Sequence, residues 1–197
     1  MTKVKICGLV RREDVACAVE SGADALGFIA VSESKRHVTP DQVTELLDLV
    51  PPFVPTISVA LDEATALRYR VTHHQLYSPP ESSPFRPLLR VFRLRNDDSA
   101  RDALAWTGPI LIDAWVDGVL GGSGKTVDWA LARRVVAAHP YPVVLAGGLD
   151  PENVVEAIRT VRPYAVDVSS GVESSPGVKD SGKIRDFIAN AKSALLP

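Results

Sequence analysis

Short apolar runs alternate with longer amphipathic runs along this chain, and the alternation limits its fold more than any other feature. The apolar runs predict eight strands, at residues 4–7, 25–30, 54–61, 75–77, 88–92, 109–113, 142–146 and 164–168. Strands that alternate with helices form parallel βα units, because each helix carries the chain back across the sheet. Eight such units favour a closed (β/α)₈ TIM barrel, an α/β fold, over an open doubly wound sheet.

The runs between the predicted strands have helical spacing and residues typical of helix ends. Thr39 suits an N-cap and Pro40 suits the first helical position, while Gly22 ends the helix predicted at 12–21. The other helices are predicted near 40–50, 62–70, 99–106, 129–138, 150–160 and 181–195.

A single domain covering residues 1–197 is predicted, because 46% of the residues are hydrophobic and no linker-like change of composition occurs near the middle. The chain is slightly short for this barrel, whose usual lower bound is about 200 residues. Prolines between residues 79 and 87 leave little room for a helix after the fourth strand. The barrel is therefore predicted to be shortened around its third to fifth βα units.

Composition argues against several classes of protein. The net charge is −2 without a basic stripe, which argues against nucleic-acid binding. Two cysteines are too few for a disulfide scaffold, and the four histidines show no metal-binding spacing, so neither a metal nor a cofactor is expected. No apolar run approaches the roughly 18 residues of a membrane span, and the first residues lack the apolar stretch of a signal peptide. A cytoplasmic location without membrane contact is therefore expected.

The ends of the predicted strands carry polar and small residues, and in a parallel barrel these ends form the active face. The residues there are Cys7 (strand one), Asp113 (strand six), Gly147 and Gly148 (strand seven), and Ser169, Ser170 and Gly171 (strand eight). Barrels of this class often hold a phosphate between the loops after strands seven and eight, where small residues let backbone N–H groups approach the anion. The two loops therefore predict a phosphate site, although glycines that only form tight turns would look the same.

Cys7 is the candidate base, and its position alone leaves two interpretations open. A free cysteine has a pKa of about 8.5, so a few per cent of it is thiolate at neutral pH. Lys5 lies two residues earlier on the same strand face and would lower that pKa if it were buried nearby. Cysteine is more often a small buried hydrophobic residue than a catalyst, and this interpretation is favoured for Cys17.

Asp113 and Arg36 are further candidates. A carboxyl group at the end of an apolar strand is partly desolvated, which raises its pKa and suits Asp113 to acid catalysis. Asp113 could equally cap the next loop. Arg36 follows the second strand and could hold a carboxylate by two parallel hydrogen bonds, although an isolated arginine is more often a surface residue.

Residues 121–126, Gly-Gly-Ser-Gly-Lys-Thr, look like a nucleotide-binding P-loop, but the spacing is wrong. That motif needs a glycine five positions before Gly124, where this chain has Val119. The helix of a P-loop also begins at once, whereas Asp128 suits a later helix start. A flexible glycine-rich loop that closes over a substrate is the better interpretation.

Seven motifs, in order, resemble the phosphoribosylanthranilate isomerase family of tryptophan biosynthesis. They are Lys-Ile-Cys-Gly at 5–8, Gly-Ala-Asp-Ala-Leu-Gly-Phe at 22–28, Ser-Lys-Arg at 34–36, Leu-Ile-Asp at 111–113, Gly-Gly-Ser-Gly-Lys-Thr at 121–126, Leu-Ala-Gly-Gly-Leu at 145–149 and Val-Asp-Val-Ser-Ser-Gly-Val-Glu at 166–173. No single motif would be specific, but their number and order over most of the chain are.

The resemblance implies a barrel that performs an Amadori rearrangement of a phosphoribosyl substrate without a metal or cofactor. It implies that Cys7 is the general base, that Asp113 is the general acid and that Arg36 binds the anthranilate carboxylate. It also implies that Asp167 contacts the sugar. The implied phosphate-binding residues are Gly147, Gly148, Ser169, Ser170 and Gly171. The expected partner is this small molecule, and the expected assembly is a monomer or a homodimer.

The chain departs from the family pattern between residues 60 and 95. The fourth strand of the family usually ends in Gln-Leu-His-Gly, where this chain has Gln75-Leu76-Tyr77-Ser78, and the usual Phe-Val-Asn after strand three is missing. A non-catalytic relative that binds sugar phosphates or a partner protein therefore stays open. So does an isomerase with both histidine- and tryptophan-pathway substrates. A barrel isomerase of histidine biosynthesis alone ranks lower, because it typically has an aspartate where Cys7 stands.

Overall fold

Eight parallel strands pair in chain order until the last strand meets the first, which closes the sheet into a barrel. The computed structural model describes residues 1–78, 88–114 and 126–194. The strands are β1 (Lys3–Ile6), β2 (Ala25–Ile29), β3 (Thr56–Ala60), β4 (His73–Leu76), β5 (Leu88–Leu94), β6 (Ile110–Ala114), β7 (Val143–Leu145) and β8 (Ala165–Val168). The closed parallel barrel confirms the predicted fold class. That one domain spans all of 1–197 stays a prediction.

Helices connect the strands and pack on the outside of the barrel. They are α1 (Arg12–Glu20), α2 (Pro40–Leu47), α3 (Glu63–Ala66), α4 (Asp97–Ala105), α5 (Trp129–Ala138), α6 (Val154–Val161) and α7 (Ser181–Ser193). A 3₁₀ helix, η1 (Ser170–Val172), and an antiparallel hairpin of β9 (Glu173–Ser175) and β10 (Val178–Lys179) lie between β8 and α7. The sequence pattern did not predict the hairpin, because strands of three and two residues are too short to show an alternation.

The third βα unit has a much shorter helix than the one predicted at 62–70. Asp62 caps α3 by accepting a hydrogen bond from the Thr65 N–H at 2.9 Å. The chain then tightens, since the Tyr69 N–H donates to the Ala66 carbonyl three residues earlier, and the α-helix ends. The single turn of α3 agrees with the predicted shortening of this unit, whereas the connection at 79–87 lies outside the described residues.

Other element boundaries differ from the predicted ones by a few residues, for local reasons. Helix α4 begins two residues earlier than predicted, because Asn96 caps it and exchanges hydrogen bonds with Ser99. Helix α6 begins at Val154 rather than near 150, because Asp150 caps a separate turn before it. Thr39 caps α2 as predicted, in a reciprocal arrangement with the third helical residue.

Most of the apolar core lies between the strands and the helices, not inside the barrel. Phe28 and Phe187 are among the largest fully buried side chains of this outer layer. The apolar cluster inside the barrel consists of the smaller residues Val91, Leu111, Val144, Ala146 and Ala165. Polar side chains therefore occupy much of the rest of the interior. In the described part of the chain, no helix has the length and apolar character needed to cross a membrane.

We expect Phe187→Ala to lower the free energy of unfolding by about 3–5 kcal/mol, because it removes a fully buried ring and leaves a cavity. Phe53→Ala is the matched control, since Phe53 is 96% exposed and its loss should change stability by no more than about 0.5 kcal/mol. Urea unfolding of both variants measures the difference. Equal effects would mean that α7 does not dock as described.

Candidate active site

A cavity of about 480 Å³ opens at the carboxyl ends of the barrel strands. Eight of the nine residues predicted for the site line it: Cys7, Arg36, Asp113, Gly147, Gly148, Asp167, Ser169 and Ser170. The ninth, Gly171, lies behind the wall, where a Cβ atom would come within 1.9 Å of the Leu149 carbonyl oxygen. The structure thus brings together residues that are far apart in the chain, and the most distant pair, Cys7 and Ser170, is separated by 163 positions.

Cys7 follows β1 directly, one residue beyond the end of the strand, rather than being its last residue. Its N–H donates to the Val168 carbonyl at 2.8 Å, which continues the pairing of β1 with β8. The thiol is buried, and Gly27 of β2 leaves room for it, since a Cβ atom there would lie 2.7 Å from Sγ.

The charges around Cys7 act in opposite directions. Burial raises the pKa of the thiol, the nearby Lys5 ammonium lowers it, and the Asp167 carboxylate raises it again. The net shift is upward. The expectation that Lys5 lowers the pKa of Cys7 is therefore right for the individual effect, but burial outweighs it.

Lys5 and Asp167 form an ion pair inside the barrel. Lys5 Nζ lies 2.9 Å from Asp167 Oδ1, and both side chains are buried. Burial lowers the pKa of Lys5, but the charges of Asp167 and Cys7 raise it by more, so the ammonium stays charged. Asp167 was predicted only as a sugar contact, and the ion pair leaves its second oxygen, Oδ2, for that role.

Asp113 lies on β6 and lines the same cavity as Cys7. Burial raises its pKa from 3.8 to about 6, although Oδ1 accepts a hydrogen bond from the Ala114 N–H at 2.7 Å, which acts in the other direction. Gly147 packs against this carboxyl group, since a Cβ atom there would lie 3.0 Å from Oδ1. Asp113 therefore keeps a protonated fraction close to neutral pH, as its position at the end of an apolar strand predicted.

Arg36 is held by a carboxylate that the sequence analysis did not single out. Its Nε and Nη2 each donate to Glu173 at 2.7 Å. Lys179 Nζ lies 3.0 Å from the same carboxylate and donates to the Ser169 carbonyl at 2.9 Å. The β9–β10 hairpin thus connects the arginine after β2 with the loop after β8. Glu173 ended a recognised motif, but nothing in the sequence assigned it a partner.

The loops after β7 and β8 present backbone N–H groups at the cavity. Gly147 and Gly148 have φ angles of +89° and +64°, and a Cβ atom on Gly147 would lie 2.7 Å from the Ala114 nitrogen. Within the described ranges, no hydrogen-bond acceptor is found for the N–H groups of Gly147, Gly148, Ser169 and Ser170. These donors are therefore available to an anion in the cavity.

Tyr77, which stands where the family usually has histidine, lines the cavity together with Gln75. Burial raises the pKa of the Tyr77 hydroxyl, and the negative charges of Asp113 and Cys7 raise it further. The hydroxyl stays protonated and can act as a hydrogen-bond donor. The altered end of strand four thus keeps a polar group in the cavity wall.

The position at which helix α5 begins also argues against a P-loop, in addition to the spacing of the glycines. Asp128 caps α5 by accepting hydrogen bonds from the Ala130 and Leu131 N–H groups, so the helix begins at Trp129 and not directly after Thr126. The loop itself, residues 121–125, lies outside the described residues. Within 1–78, 88–114 and 126–194, no cluster of histidine, cysteine, aspartate and glutamate side chains could hold a metal ion.

A closed (β/α)₈ barrel with titratable side chains gathered at the carboxyl ends of its strands belongs to the class of barrel enzymes. The family model described as N-(5'-phosphoribosyl)anthranilate (PRA) isomerase matches residues 92–190. The N-(5'-phosphoribosyl)anthranilate isomerase of Trichlorobacter lovleyi is 43% identical over 99% of this chain and 100% of its own length. That of Geobacter sulfurreducens is also 43% identical, over 98% of this chain and 99% of its own.

Solved structures give the same result. The phosphoribosyl anthranilate isomerase of Thermotoga maritima superposes with a TM-score of 0.87 at 39% identity, covering 98% of this chain and 99% of its own. A phosphoribosyl anthranilate isomerase in complex with reduced 1-(o-carboxyphenylamino)-1-deoxyribulose 5-phosphate superposes with a TM-score of 0.81 at 35% identity, over 98% and 99%. The chain belongs to the N-(5'-phosphoribosyl)anthranilate isomerase family, and it is an isomerase of tryptophan biosynthesis.

We expect Asp113→Asn to become more stabilising, relative to the wild type, as pH rises. The pKa of Asp113 is about 6 in the folded state, against an ordinary value of 3.8, so the folded state binds this proton more tightly and loses that stabilisation as pH rises through 6. Between about pH 4.5 and about pH 7.5 the gain of the variant over the wild type should grow by about 2 kcal/mol.

Urea unfolding at the two pH values measures this growth. Asp186→Asn is the matched control, because it makes the same replacement at an exposed position of α7, away from the cavity. An Asp113→Asn difference that does not depend on pH would contradict the burial of this carboxyl group.

Proposed function

We propose that this isomerase converts N-(5'-phosphoribosyl)anthranilate to 1-(2-carboxyphenylamino)-1-deoxyribulose 5-phosphate, with Cys7 as general base and Asp113 as general acid. One observation carries the assignment. A buried thiol after β1 and a buried carboxyl group on β6 line the same cavity, on strands that are three positions apart around the barrel. A substrate between them could take a proton on one side and lose one on the other.

The reaction needs two proton transfers at different atoms. Asp113 would protonate the ring oxygen of the ribose, which breaks the C1–O bond and leaves an imine at C1. Cys7 would then remove the proton from C2 to form an enolamine. Protonation at C1 and loss of the C2 hydroxyl proton give the ketone, so no atom is gained or lost. Since the route consists of proton transfers and the cleavage of one C–O bond, with no net oxidation or reduction of the substrate, it uses no cofactor.

The charge states support these roles. A pKa of about 6 lets Asp113 donate a proton near neutral pH and recover it later. Burial raises the pKa of the Cys7 thiol, so only a minority of it is thiolate near neutral pH, although that thiolate is correspondingly basic. A modest amount of thiolate is enough, since imine formation makes the C2 proton more acidic.

The phosphate and the anthranilate carboxylate of the substrate would be bound by groups other than Cys7 and Asp113. We propose that the N–H groups of Gly147, Gly148, Ser169 and Ser170 bind the phosphate, with Gly171 allowing the close approach of the two loops. Positive φ angles at Gly147 and Gly148 are consistent with a concave row of donors.

Arg36 would bind the anthranilate carboxylate. Glu173 occupies Nε and one hydrogen of Nη2, so Nη1 and the second Nη2 hydrogen are the groups proposed to meet the substrate. Asp167 would accept a hydrogen bond from the ribose through Oδ2, because Oδ1 is engaged with Lys5. The assembly as a monomer or homodimer and the cytoplasmic location stay predictions.

We expect Cys7→Ser and Asp113→Asn each to lower kcat by about 10²–10⁴-fold, the contribution usual for a positioned base or acid. Loss of fluorescence of the anthranilate substrate follows the reaction. Cys17→Ser is the matched control, because Cys17 lies on α1 and does not line the cavity, and its turnover should be near that of the wild type. Near-normal turnover of both cavity variants would contradict the proposed function, as would failure of the wild type to support growth of an auxotroph lacking this step.

A further inference from the structure

Lys5 is a buried cation that takes no part in the proton transfers proposed above. It lies on the inner side of β1 and is 3% exposed. A buried ammonium is costly unless a partner compensates it, and Asp167 at 2.9 Å is that partner. A hydrophobic residue would fill the same place at lower cost, so the presence of a charge here calls for a reason other than packing.

The side chain of Lys5 runs beside the thiol of Cys7. Residues two apart on a strand point to the same face, so both side chains enter the barrel. They meet at Gly27 of β2, where one added Cβ atom would lie 2.7 Å from Cys7 Sγ and 3.1 Å from Lys5 Cε. The thiol and the lysine stem therefore share the space that this glycine leaves empty.

Other charged and titratable groups also face Cys7, each from a different element. They are Asp167 (β8), Lys179 (β10), Arg36 (after β2), Tyr77 (after β4) and, in the same cavity, Asp113 (β6). Of the three cations near Cys7, Arg36 and Lys179 share the Glu173 carboxylate, and Lys5 pairs with Asp167. Lys5 has the largest effect on the thiol among the charged neighbours, after burial itself.

We propose that Lys5 is a positioning residue for the general base, whose ammonium stabilises the thiolate of Cys7 inside the barrel while Asp167 fixes that ammonium in place. This inference rests on the proposed role of Cys7. Without Lys5 the thiolate would form in a buried site beside the Asp167 carboxylate, and burial and that carboxylate would both oppose it.

The pH dependence of alkylation of Cys7 by iodoacetamide tests the proposal without any substrate. A Cys17→Ala background leaves Cys7 as the single thiol. Lys5→Met should raise the midpoint of the alkylation profile by about one pH unit or more, and slow alkylation at neutral pH about tenfold. Lys3→Met is the matched control on the same strand, since Lys3 is exposed and paired with Asp24, and its midpoint should equal that of the parent.

A second variant guards against loss of folding, because Lys5→Met alone leaves Asp167 buried and unpaired. Lys5→Met with Asp167→Asn removes both charges, and its midpoint should still lie above that of the parent, since Lys5 acts on the thiol more strongly than Asp167 does. A folded double variant with the parent midpoint would overturn the proposal.

The unmutated side chain of Lys5 gives a third readout. The NMR signal of its Cε should shift at the pH where the thiol ionises, and the shift should vanish in Cys7→Ser. Absence of the shift would also overturn the proposal. An inactive Cys7→Ser with an unshifted Lys5→Met would leave the proposed function intact and remove this inference. An active Cys7→Ser would remove the proposed role of Cys7, and the role of Lys5 in positioning a base would fall with it.

Discussion

The hydrogen bonds between β1 and β8 close the barrel, and they decide which side chains can meet inside it. The register of this pair sets Lys5 opposite Asp167, and the Cys7 N–H extends the pairing to the Val168 carbonyl. In an open sheet these two strands would be distant edges, and Lys5 and Cys7 would have neither Asp167 nor the loop after β8 nearby. Closure therefore assembles the cavity from the first and the last strands.

Burial has opposite consequences for two of the titratable groups that line the cavity. It raises the pKa of Asp113 into a useful range for an acid, but it also raises the pKa of the Cys7 thiol, which lowers the fraction of thiolate near neutral pH. The Lys5–Asp167 pair offsets part of the second effect. The stability that these buried polar groups cost must come from elsewhere, and the apolar layer between strands and helices supplies it, with Phe28 and Phe187 at its centre.

The sequence predicted the barrel well, because each strand is a separate apolar run and each helix carries its own boundary residues, such as Thr39 before α2. It also predicted the cavity wall, since the rule that strand ends form the active face needs only strand positions. Eight of the nine site residues lie there. Their chemical roles stay proposals.

Pairings between distant residues could not be predicted in the same way. The contact of Arg36 with Glu173 spans 137 residues, and the contact of Lys5 with Asp167 spans 162. Both depend on barrel register and on a hairpin too short to show periodicity. A shortened barrel around the third βα unit was predicted, but the residue at which α3 ends was not. That end depends on tight turns around Tyr69, which no sequence pattern indicates.

In the proposed reaction the thiol of Cys7 removes the proton from C2 of the opened ribose. The most direct test compares kcat/KM for ordinary substrate and for substrate deuterated at C2 of the ribose, in Cys7→Ser and in Asp113→Asn. A weakened base makes cleavage of the C2–H bond limiting, so the account predicts a primary isotope effect in Cys7→Ser that is larger than in Asp113→Asn, where ring opening limits. An isotope effect confined to Asp113→Asn would contradict the assignment of the two groups.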